Sequence, residues 1–402
     1  MAFYDIALIG GGIVGVSTAL ALKMKWPDAK IALIEKEAGF ACRQTGHNSG
    51  VVHAGVYYQP GSLKARFCRQ GAALTKSFCK EHDLPYKRCG KLLVATDSLT
   101  LSRMDDLEQR CKANNILTHR IKKNDLQRLE PGITGLCALF VPDSAITDYQ
   151  RITAKMAELY KAARGILFLG KRVFAIREKT DHLCINFGAT KLNARCLIAC
   201  AGLEADRLAR MMNIPLDFRI LPFREEYYQL PRKHSRIVSH LIYPIPDPAL
   251  PFLGVHLTPM VDGRVIVGPN AILGFKREGY SRMNFSLTDT MEMIQFKGFW
   301  HVVKNNLASG TKEMIDALYK PGYLKRIQKY CPAIILSDLK YYPAGIRAQA
   351  VKKDGALVHD FLFVRSKLSL HVCNSPSPAA TSAFPISKYL CEMVEKQFKS
   401  VL

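Results

Sequence analysis

The chain has 402 residues, of which 48% are hydrophobic and 23% are charged, a composition typical of a globular protein with room for two joined domains. The net charge of +23 comes from basic residues spread along the chain, and no nucleic-acid motif accompanies them, so we expect no nucleic-acid partner. A solvated cationic surface, an anionic membrane surface and an anionic substrate remain as explanations of the charge. The twelve cysteines follow no metal-ligand or disulfide spacing, and we expect no metal site.

From the pattern of hydrophobic residues we expect neither a membrane-spanning segment nor a targeting signal. The apolar runs are too short to span a membrane, and the N-terminus enters a strand-like run almost at once, without a leader-like segment. We therefore expect a cytoplasmic protein of prokaryotic type. Peripheral attachment to the inner face of the cytoplasmic membrane is the alternative that the charge keeps open.

Residues 4–36 predict a strand, a helix and a second strand around the run IALIGGGIVG. Gly10 allows the tight turn after the strand, Gly12 allows close approach of a pyrophosphate, and Gly15 allows the helix to pack closely. Glu35 ends the second strand, about 20 residues later, where an acidic side chain binds an adenosine ribose. The spacing therefore predicts a dinucleotide site.

The remaining elements are predicted from periodicity and from helix signals. Helices are expected up to about Lys80, near 99–114, from Asp148 to Gly165, across 286–331 and, as a final helix, opening at 374–381. Strands are expected at 86–95, 137–144, 166–176, 182–187, along 191–200 up to Ala201 and Gly202, in the tail from 340 and, as antiparallel sheet with proline turns, within 216–270. The nucleotide-binding pieces are thus discontinuous, which suits a flavoprotein better than a nicotinamide dehydrogenase.

The predicted fold class is α/β, a Rossmann-like FAD-binding domain with an interleaved antiparallel-sheet (α+β) substrate domain. We expect the FAD-binding domain to comprise residues 1–84, 145–215 and 336–402. The substrate-binding domain would then comprise residues 85–144 and 216–335.

Several longer segments carry a resemblance to one family. They are QTGHNSGVVHAGVYYQPGSLKARFC (44–68), LIYPIPDPALPFLGVHLTPMVDG (241–263), VGPNAILGFKREGY (267–280), GYLKRIQKYCP (322–332), PAGIRAQAV (343–351) and CNSPSPAAT (373–381). In this order they resemble the L-2-hydroxyglutarate oxidases, also called dehydrogenases, of the glycine oxidase/D-amino-acid oxidase superfamily.

The resemblance implies FAD as cofactor and oxidation of L-2-hydroxyglutarate, a dicarboxylate, to 2-oxoglutarate. It further implies that electrons pass to quinone or another acceptor more readily than to oxygen. A related FAD oxidoreductase acting on another hydroxy or amino acid, such as glycine, sarcosine or glycerol 3-phosphate, is the first alternative. A flavin-dependent RNA-binding protein and a non-catalytic flavin-binding scaffold are the others.

Oxidation of a 2-hydroxy acid needs a base for the hydroxyl proton and cations for the carboxylates. His53 and His256 are the candidate bases, and Arg347 is the candidate carboxylate clamp because it matches the superfamily's arginine segment. Lys276 or Arg277 is expected to hold the distal carboxylate, and since neighbours on a strand face opposite ways, at most one should point inward. Further polar candidates without assigned roles are His47, Tyr57, Tyr58, Asn270 and Tyr280.

Around the cofactor, small and polar residues offer hydrogen-bond donors and close backbone approach. The predicted contacts beyond the glycine motif are Thr45, Asn48, Ser49, Gly50, Val173, Ala201, Gly202, Gly345, Ser377, Pro378, Ala379, Ala380 and Thr381.

Two positions depart from the family pattern. Glu225 stands in Phe-Arg-Glu-Glu-Tyr where relatives usually have glycine, which brings either backbone strain or a new charge. Ser387 replaces a glycine that is frequent in the last helix, a milder change.

Overall fold

The computed structural model describes residues 2–247, 254–281, 284–305 and 320–398. In chain order its strands are β1 (Ala2–Ile9), β2 (Ile31–Ile34), β3 (Val51–Val52), β4 (Tyr86–Lys87), β5 (Lys91–Ala95), β6 (His119–Lys122), β7 (Cys137–Val141), β8 (Ala145–Thr147), β9 (Ile166–Phe168), β10 (Ala175–Glu178), β11 (Leu183–Asn186), β12 (Lys191–Ala199), β13 (Phe218–Gln229), β14 (Leu241–Pro244), β15 (His256–Pro259), β16 (Val265–Leu273), β17 (Lys340–Lys352), β18 (Leu362–Arg365) and β19 (Ser369–Asn374).

The α-helices in this part of the chain are α1 (Ile13–Lys25), α2 (Leu63–Glu81), α3 (Ser98–Ala113), α4 (Lys123–Leu129), α5 (Tyr149–Ala162), α6 (Ala205–Met211), α7 (Leu287–Ile294), α8 (Lys297–Asn305), α9 (Lys320–Gln328) and α10 (Ala383–Phe398). As predicted, Asp148 begins α5, where its carboxylate accepts hydrogen bonds from the amides of Gln150 and Arg151. None of the helices described combines the length and the apolar character needed to cross a membrane.

The first sheet has a parallel core in the order β19-β12-β1-β2-β9, and β11 and β10 continue it antiparallel from the other half of β12. Ile6 and Leu8 of β1 face the core formed with α1, α5 and α10, whereas Ala7 and Ile9 face the opposite side. Both faces are therefore buried, which explains the unbroken apolar run in β1. The predicted strand–helix–strand unit at residues 4–36 is present.

The second sheet has the order β17-β13-β16-β15-β14-β5-β7-β6, and its pairs are antiparallel except for β14 with β5. One face packs against α9, where Tyr323 and Ile327 join a core with Leu257 and Val267. The opposite face presents Tyr243 and other polar residues to a cavity beside the first sheet. One face of this sheet therefore packs in the core, and the other face lines the cavity.

Several predicted boundaries differ from the observed elements. Residues 86–95 form two strands because Gly90, at φ +69°, turns the chain between the small sheet β3-β8-β4 and the second sheet. β17 pairs with β13 in the second sheet, so the strands do not follow the predicted boundary at residue 336. The segment 286–331, predicted to be helical, contains the separate helices α7, α8 and α9. Residues 306–319 of this segment, and residues 248–253 of the predicted proline turns, lie outside the described residues. The division into domains otherwise stays a prediction.

Candidate cofactor and active site

A cavity of about 780 Å³ lies along the carboxyl ends of β1 and β2 and continues beneath the second sheet. This volume falls within the range of cofactor and substrate pockets. Most of the predicted site residues contribute to its wall: Gly10, Gly12, Gly15, Glu35, Thr45, Asn48, Ser49, His53, Val173, Ala201, Gly202, His256, Lys276, Arg277, Arg347, Ser377, Pro378, Ala379, Ala380 and Thr381. The sequence therefore located the cavity from segments that are distant along the chain.

The glycine motif at the start of α1 is required by close backbone contacts. Gly10 has φ +121°, and a Cβ there would overlap the carbonyl oxygen of Cys200; a Cβ at Gly15 would overlap the carbonyl oxygen of Gly10. Gly12 is different, since a Cβ would meet only the Thr45 hydroxyl, at 3.3 Å. Gly10 and Gly15 thus hold the turn and the helix together, while Gly12 keeps the cavity side of the turn open.

The first turn of α1 offers backbone N–H groups to the cavity, with Gly12 as an N-cap that has no side-chain hydrogen bond. The Thr45 hydroxyl accepts one of these, from the amide of Ile13, at 3.0 Å. Unpaired amides and the helix dipole favour a bound anion at this end. A pyrophosphate fits this position.

Glu35 lies at the end of β2 beside the glycine turn. One carboxylate oxygen accepts the amide N–H of Gly11, and the other accepts the amide of Glu37, at 2.8 Å. These bonds fix the carboxylate at the cavity wall, in the position where ribose hydroxyls are bound in dinucleotide folds.

The segment 375–381 lines the cavity but precedes the last helix, which begins only at Ala383. Thr381 ties this segment to two others: its hydroxyl shares a 2.9 Å hydrogen bond with Tyr149 and accepts the backbone N–H of His53 at 3.2 Å. The expectation that residues 377–381 form the helix N-terminus is therefore corrected, although their place at the cavity is as predicted.

Two predicted cofactor contacts, Gly50 and Gly345, do not line the cavity. Gly50 has φ +65°, and a Cβ there would come within 2.6 Å of the carbonyl oxygen of Thr147. A Cβ at Gly345 would lie 3.1 Å from the carbonyl oxygen of His47. Both glycines allow close packing behind the wall and do not contact the cavity themselves.

His53 is half-buried, and its ring nitrogens have no hydrogen-bond partner in the part of the chain that the structure describes. Loss of hydration lowers its pKa well below the ordinary value, and the positive charge of Lys91, then His256 and Arg347, lowers it further. The ring is therefore neutral near pH 7 and presents a proton acceptor to the cavity.

His256 also lines the cavity, but its ring is oriented by the protein. Nδ1 lies 3.0 Å from the carbonyl oxygen of Gly254, which can only accept, so Nδ1 carries the hydrogen and Nε2 keeps its lone pair. Burial lowers the pKa of His256 to about 3. Both predicted bases are thus neutral proton acceptors at the cavity.

Two lysines that the sequence did not single out belong to the same region. Lys91 is 1% exposed, and its ammonium lies 4.1 Å from the ring centroid of Tyr243 and 5.3 Å from that of Tyr57. Desolvation lowers its pKa to about 8. Lys64 lies 5.1 Å from the ring of Tyr58, and burial lowers its pKa to about 8 as well. The lone lysine in the apolar run CGKLLVA was the available signal for Lys91.

Arg347 reaches the cavity from β17, and Glu225 reaches it from the neighbouring strand β13. The guanidinium donates from Nε at 3.2 Å and from a terminal nitrogen at 2.7 Å to the same oxygen of Glu225. The departure at residue 225 therefore introduces a charge at the candidate clamp.

Arg277 is not available as a substrate anchor, which corrects the prediction. It is 4% exposed, forms a two-pronged ion pair with the buried carboxylate of Asp206, and donates to the carbonyl oxygen of Leu203 at 2.7 Å. Its fork is filled by a carboxylate of the protein itself. Lys276 is exposed and lines the cavity, but it lies with Arg277 in a turn after β16, so the argument from opposite faces of a strand does not apply to this pair. Two positions further on, Glu278 pairs with Lys36 beside the nucleotide end of the cavity.

Asn270 and Tyr280 do not line the cavity either. Asn270 is buried in β16, and the ring of Tyr280 stacks on that of His47 with centroids 4.1 Å apart. His47 does line the cavity. The role of Tyr280 in this structure is therefore to support the His47 loop.

These features together fit FAD. The N-terminal turn of α1 and the cradle of Gly10 and Gly15 would hold the pyrophosphate, Glu35 the ribose, and the wall near His53 and Thr381 the ring system. No group of three or more metal-binding side chains occurs in the described residues, and all twelve cysteines are free.

Comparison with known proteins agrees with this assignment. A family model described as FAD dependent oxidoreductase matches residues 5–393. L-2-hydroxyglutarate dehydrogenase of Escherichia coli strain K12 is 51% identical over 393 residues, covering 98% of this chain and 93% of the relative. The mitochondrial L-2-hydroxyglutarate dehydrogenase of Homo sapiens is 38% identical over 415 residues, covering 98% of this chain and 89% of the relative.

Solved structures support the fold. L-alpha-glycerophosphate oxidase from Mycoplasma pneumoniae with FAD bound has a TM-score of 0.79 at 20% identity, covering 98% of this chain and 95% of that one. Glycine oxidase from Geobacillus kaustophilus has a TM-score of 0.75 at 15% identity, covering 99% and 96%. The predicted fold class and FAD dependence are confirmed, and the chain belongs to the FAD-dependent oxidoreductases and, among them, to the family of the L-2-hydroxyglutarate dehydrogenases.

Proposed function

We propose that this protein oxidises L-2-hydroxyglutarate to 2-oxoglutarate with bound FAD. The observation that carries the proposal is 51% identity over 98% of the chain to L-2-hydroxyglutarate dehydrogenase of Escherichia coli. The cavity adds physical support, because it joins a nucleotide cradle to a region with neutral imidazoles and an arginine.

When bound, FAD supplies the acceptor for the C2 hydrogen and its electron pair. The chain supplies the proton acceptor: a neutral imidazole, of His53 or His256, takes the proton of the C2 hydroxyl as the carbonyl forms. Arg347 orients the substrate by holding a carboxylate. The buried aromatic residues Tyr227 and Tyr243 keep water away from this end of the cavity.

Charge at this end favours an anionic substrate. Three cations, Arg347, Lys64 and Lys91, act on His53, and the carboxylates beside them are those of Glu225, at Arg347, and Asp360, at Lys64. A substrate with one carboxylate would leave more of this positive charge uncompensated, and unpaired buried charge is costly. We therefore expect L-2-hydroxyglutarate to exceed L-lactate and 2-hydroxybutyrate by roughly a thousandfold in kcat/KM.

The test is anaerobic stopped-flow reduction of the purified holoenzyme with a panel of hydroxy acids and amino acids. Selective bleaching of the flavin absorbance by L-2-hydroxyglutarate supports the proposal. Comparable rates with monocarboxylic hydroxy acids, or faster reduction by sarcosine or glycine, would replace it with a different substrate class on the same flavoprotein.

We further propose that the reduced cofactor passes its electrons to a quinone or another acceptor, and that the cationic surface attracts this cytoplasmic protein to the anionic inner face of the cytoplasmic membrane. The support is the net charge of +23 and the electrostatic attraction of basic proteins to anionic lipid. A quinone analogue that reoxidises the enzyme faster than dissolved oxygen does would support the choice of acceptor, and the reverse order would contradict it.

A further inference from the structure

The arginine that faces the candidate substrate position is already bound to a carboxylate of the chain. Nε and one terminal nitrogen of Arg347 donate to the same oxygen of Glu225, at 3.2 and 2.7 Å. Both side chains line the cavity. The pair is partly open to it, since Glu225 retains 14% and Arg347 23% of side-chain exposure.

The antiparallel pairing of β13 with β17 creates this contact. Glu225 lies opposite Gly345, and Phe223 lies opposite Arg347, so the two charged residues are diagonal neighbours on adjacent strands. The second oxygen of Glu225 accepts the hydroxyl of Tyr227, at 3.2 Å. Both carboxylate oxygens are therefore held in the cavity wall.

The edge formed by Nε and a terminal nitrogen is one of the two edges with which a guanidinium binds a carboxylate through parallel hydrogen bonds. Glu225 uses both donors of that edge. An incoming carboxylate must either displace Glu225 or approach the guanidinium elsewhere, with a negative charge beside it. The carboxylate of the substrate and that of Glu225 would then lie close together on one guanidinium, where their like charges repel.

We propose that Glu225 is a specificity-determining residue, an internal carboxylate that competes with the substrate for Arg347. This inference rests on the proposed function for the identity of the ligand, a five-carbon dicarboxylate. Glu225 weakens the binding of the substrate and also of the 2-oxoglutarate product, which carries the same two carboxylates.

The test compares Glu225→Gln, which keeps the shape and removes the charge, with Glu225→Gly, which removes the side chain. Asp262→Asn is the matched control, because Asp262 pairs with Arg264 on the turn between β15 and β16, outside the cavity. Each FAD-loaded protein is titrated with 2-oxoglutarate by calorimetry, and KM and kcat are measured with L-2-hydroxyglutarate.

Both Glu225 variants are expected to bind 2-oxoglutarate about fivefold or more tightly than the parent, because a partly exposed carboxylate that competes for Arg347 is removed. KM should fall by a similar factor, with kcat within about twofold of the parental value, and Asp262→Asn should change neither quantity. Unchanged or weaker binding in both FAD-loaded variants would overturn the inference and make Glu225 a residue that positions Arg347. If the parent is not reduced by L-2-hydroxyglutarate, the proposed function fails, whereas a parent that is reduced while neither variant binds 2-oxoglutarate more tightly overturns this inference alone.

Discussion

His256 stacks on Tyr243, with ring centroids 3.7 Å apart and planes 17° from parallel, and the ammonium of Lys91 lies 4.1 Å from the same tyrosine ring. A buried cation is thus separated from a candidate base by one aromatic ring. Loss of hydration lowers the pKa of His53 most, and the charge of Lys91 has the next largest effect. The groups that face His53 are Lys91 from β5, His256 from β15, Arg347 from β17 and Lys64 from α2.

We predict that Lys91→Met raises the pKa of His53. Removing the cation removes a repulsion of the protonated imidazole, so the base becomes protonated at a higher pH. The acid limb of the pH dependence of kcat/KM should therefore move to higher pH. Lys87→Met, at an exposed position of β4, serves as the control and should leave the limb in place. The same limb in Lys91→Met and in the parent would contradict the prediction.

His53→Ala should slow anaerobic flavin reduction by about a hundredfold or more, the usual effect of losing a general base. The FAD content of the variant, measured by absorbance, is the control for intact folding. Reduction at the parental rate with FAD fully bound would assign the base elsewhere. His256, whose Nε2 lone pair is free of the Gly254 bond, would then be the first candidate.

Gly15→Ala should abolish retention of FAD. The added Cβ would overlap the carbonyl oxygen of Gly10 and push α1 away from the turn that approaches the pyrophosphate. Gly39→Ala is the matched control, because a Cβ there would have an ordinary contact, 3.7 Å from Cys42 Sγ. Flavin absorbance per protein after purification measures the outcome. Equal flavin content in the two variants would contradict the assignment of this turn to binding of the pyrophosphate.

Asp206→Asn tests the structural role of Arg277. Although burial by itself raises the pKa of Asp206, the hydrogen bonds and charge of Arg277 hold that pKa below its ordinary value. A lowered folded pKa contributes stability that is complete above the unfolded value of about 3.9 and is lost as the pH falls through the folded value. The variant should be destabilised by roughly 3–5 kcal/mol near neutral pH because Arg277 loses its buried partner.

The difference in unfolding free energy between parent and Asp206→Asn should therefore narrow as the pH falls below about 4. Urea unfolding across this range measures it. Asp143→Asn is the control, since Asp143 forms an exposed pair with Arg88, at 2.8 Å, of the kind that adds little stability. A pH-independent difference would mean that the pair is not the source of the effect.

The cationic surface predicts sedimentation with acidic liposomes at low salt and release at high salt. Each basic residue near such a surface contributes on the order of 1 kcal/mol, and salt screens the attraction. Neutral liposomes provide the control. Equal sedimentation with both kinds of liposome would leave the net charge of +23 as a solvated surface only.

The nucleotide end was predictable because its determinants are local. Gly10, Gly15 and Glu35 follow a spacing that arises from one strand–helix–strand unit, and the structure gives both glycines the close backbone contacts that the spacing anticipates. Glu35 lies beside the same turn, where it accepts the amide N–H of Gly11, and its contact with a ribose stays a prediction. The last helix was placed too early because 375–381 carries helix-start residues, yet these residues form a turn before Ala383.

The charged contacts of the reactive end were harder to predict, since they join residues far apart in the chain. Arg277 was expected to bind substrate because the sequence does not reveal that Asp206, 71 positions away, fills its fork. The Glu225–Arg347 pair depends on the register of β13 with β17, across 122 positions. Lys91 was overlooked because a lysine in a strand is ordinarily solvated, whereas here two tyrosines cover it.

The cofactor cradle belongs to the first sheet, whereas Arg347 and Glu225 belong to the second. A substitution on β13 can therefore change which anion is accepted while leaving the turn at Gly10 and Gly15 untouched. The glycerophosphate oxidase and the glycine oxidase share this fold at 20% and 15% identity. During evolution, cofactor binding by the first sheet can be retained while substitutions in the second sheet alter substrate selection.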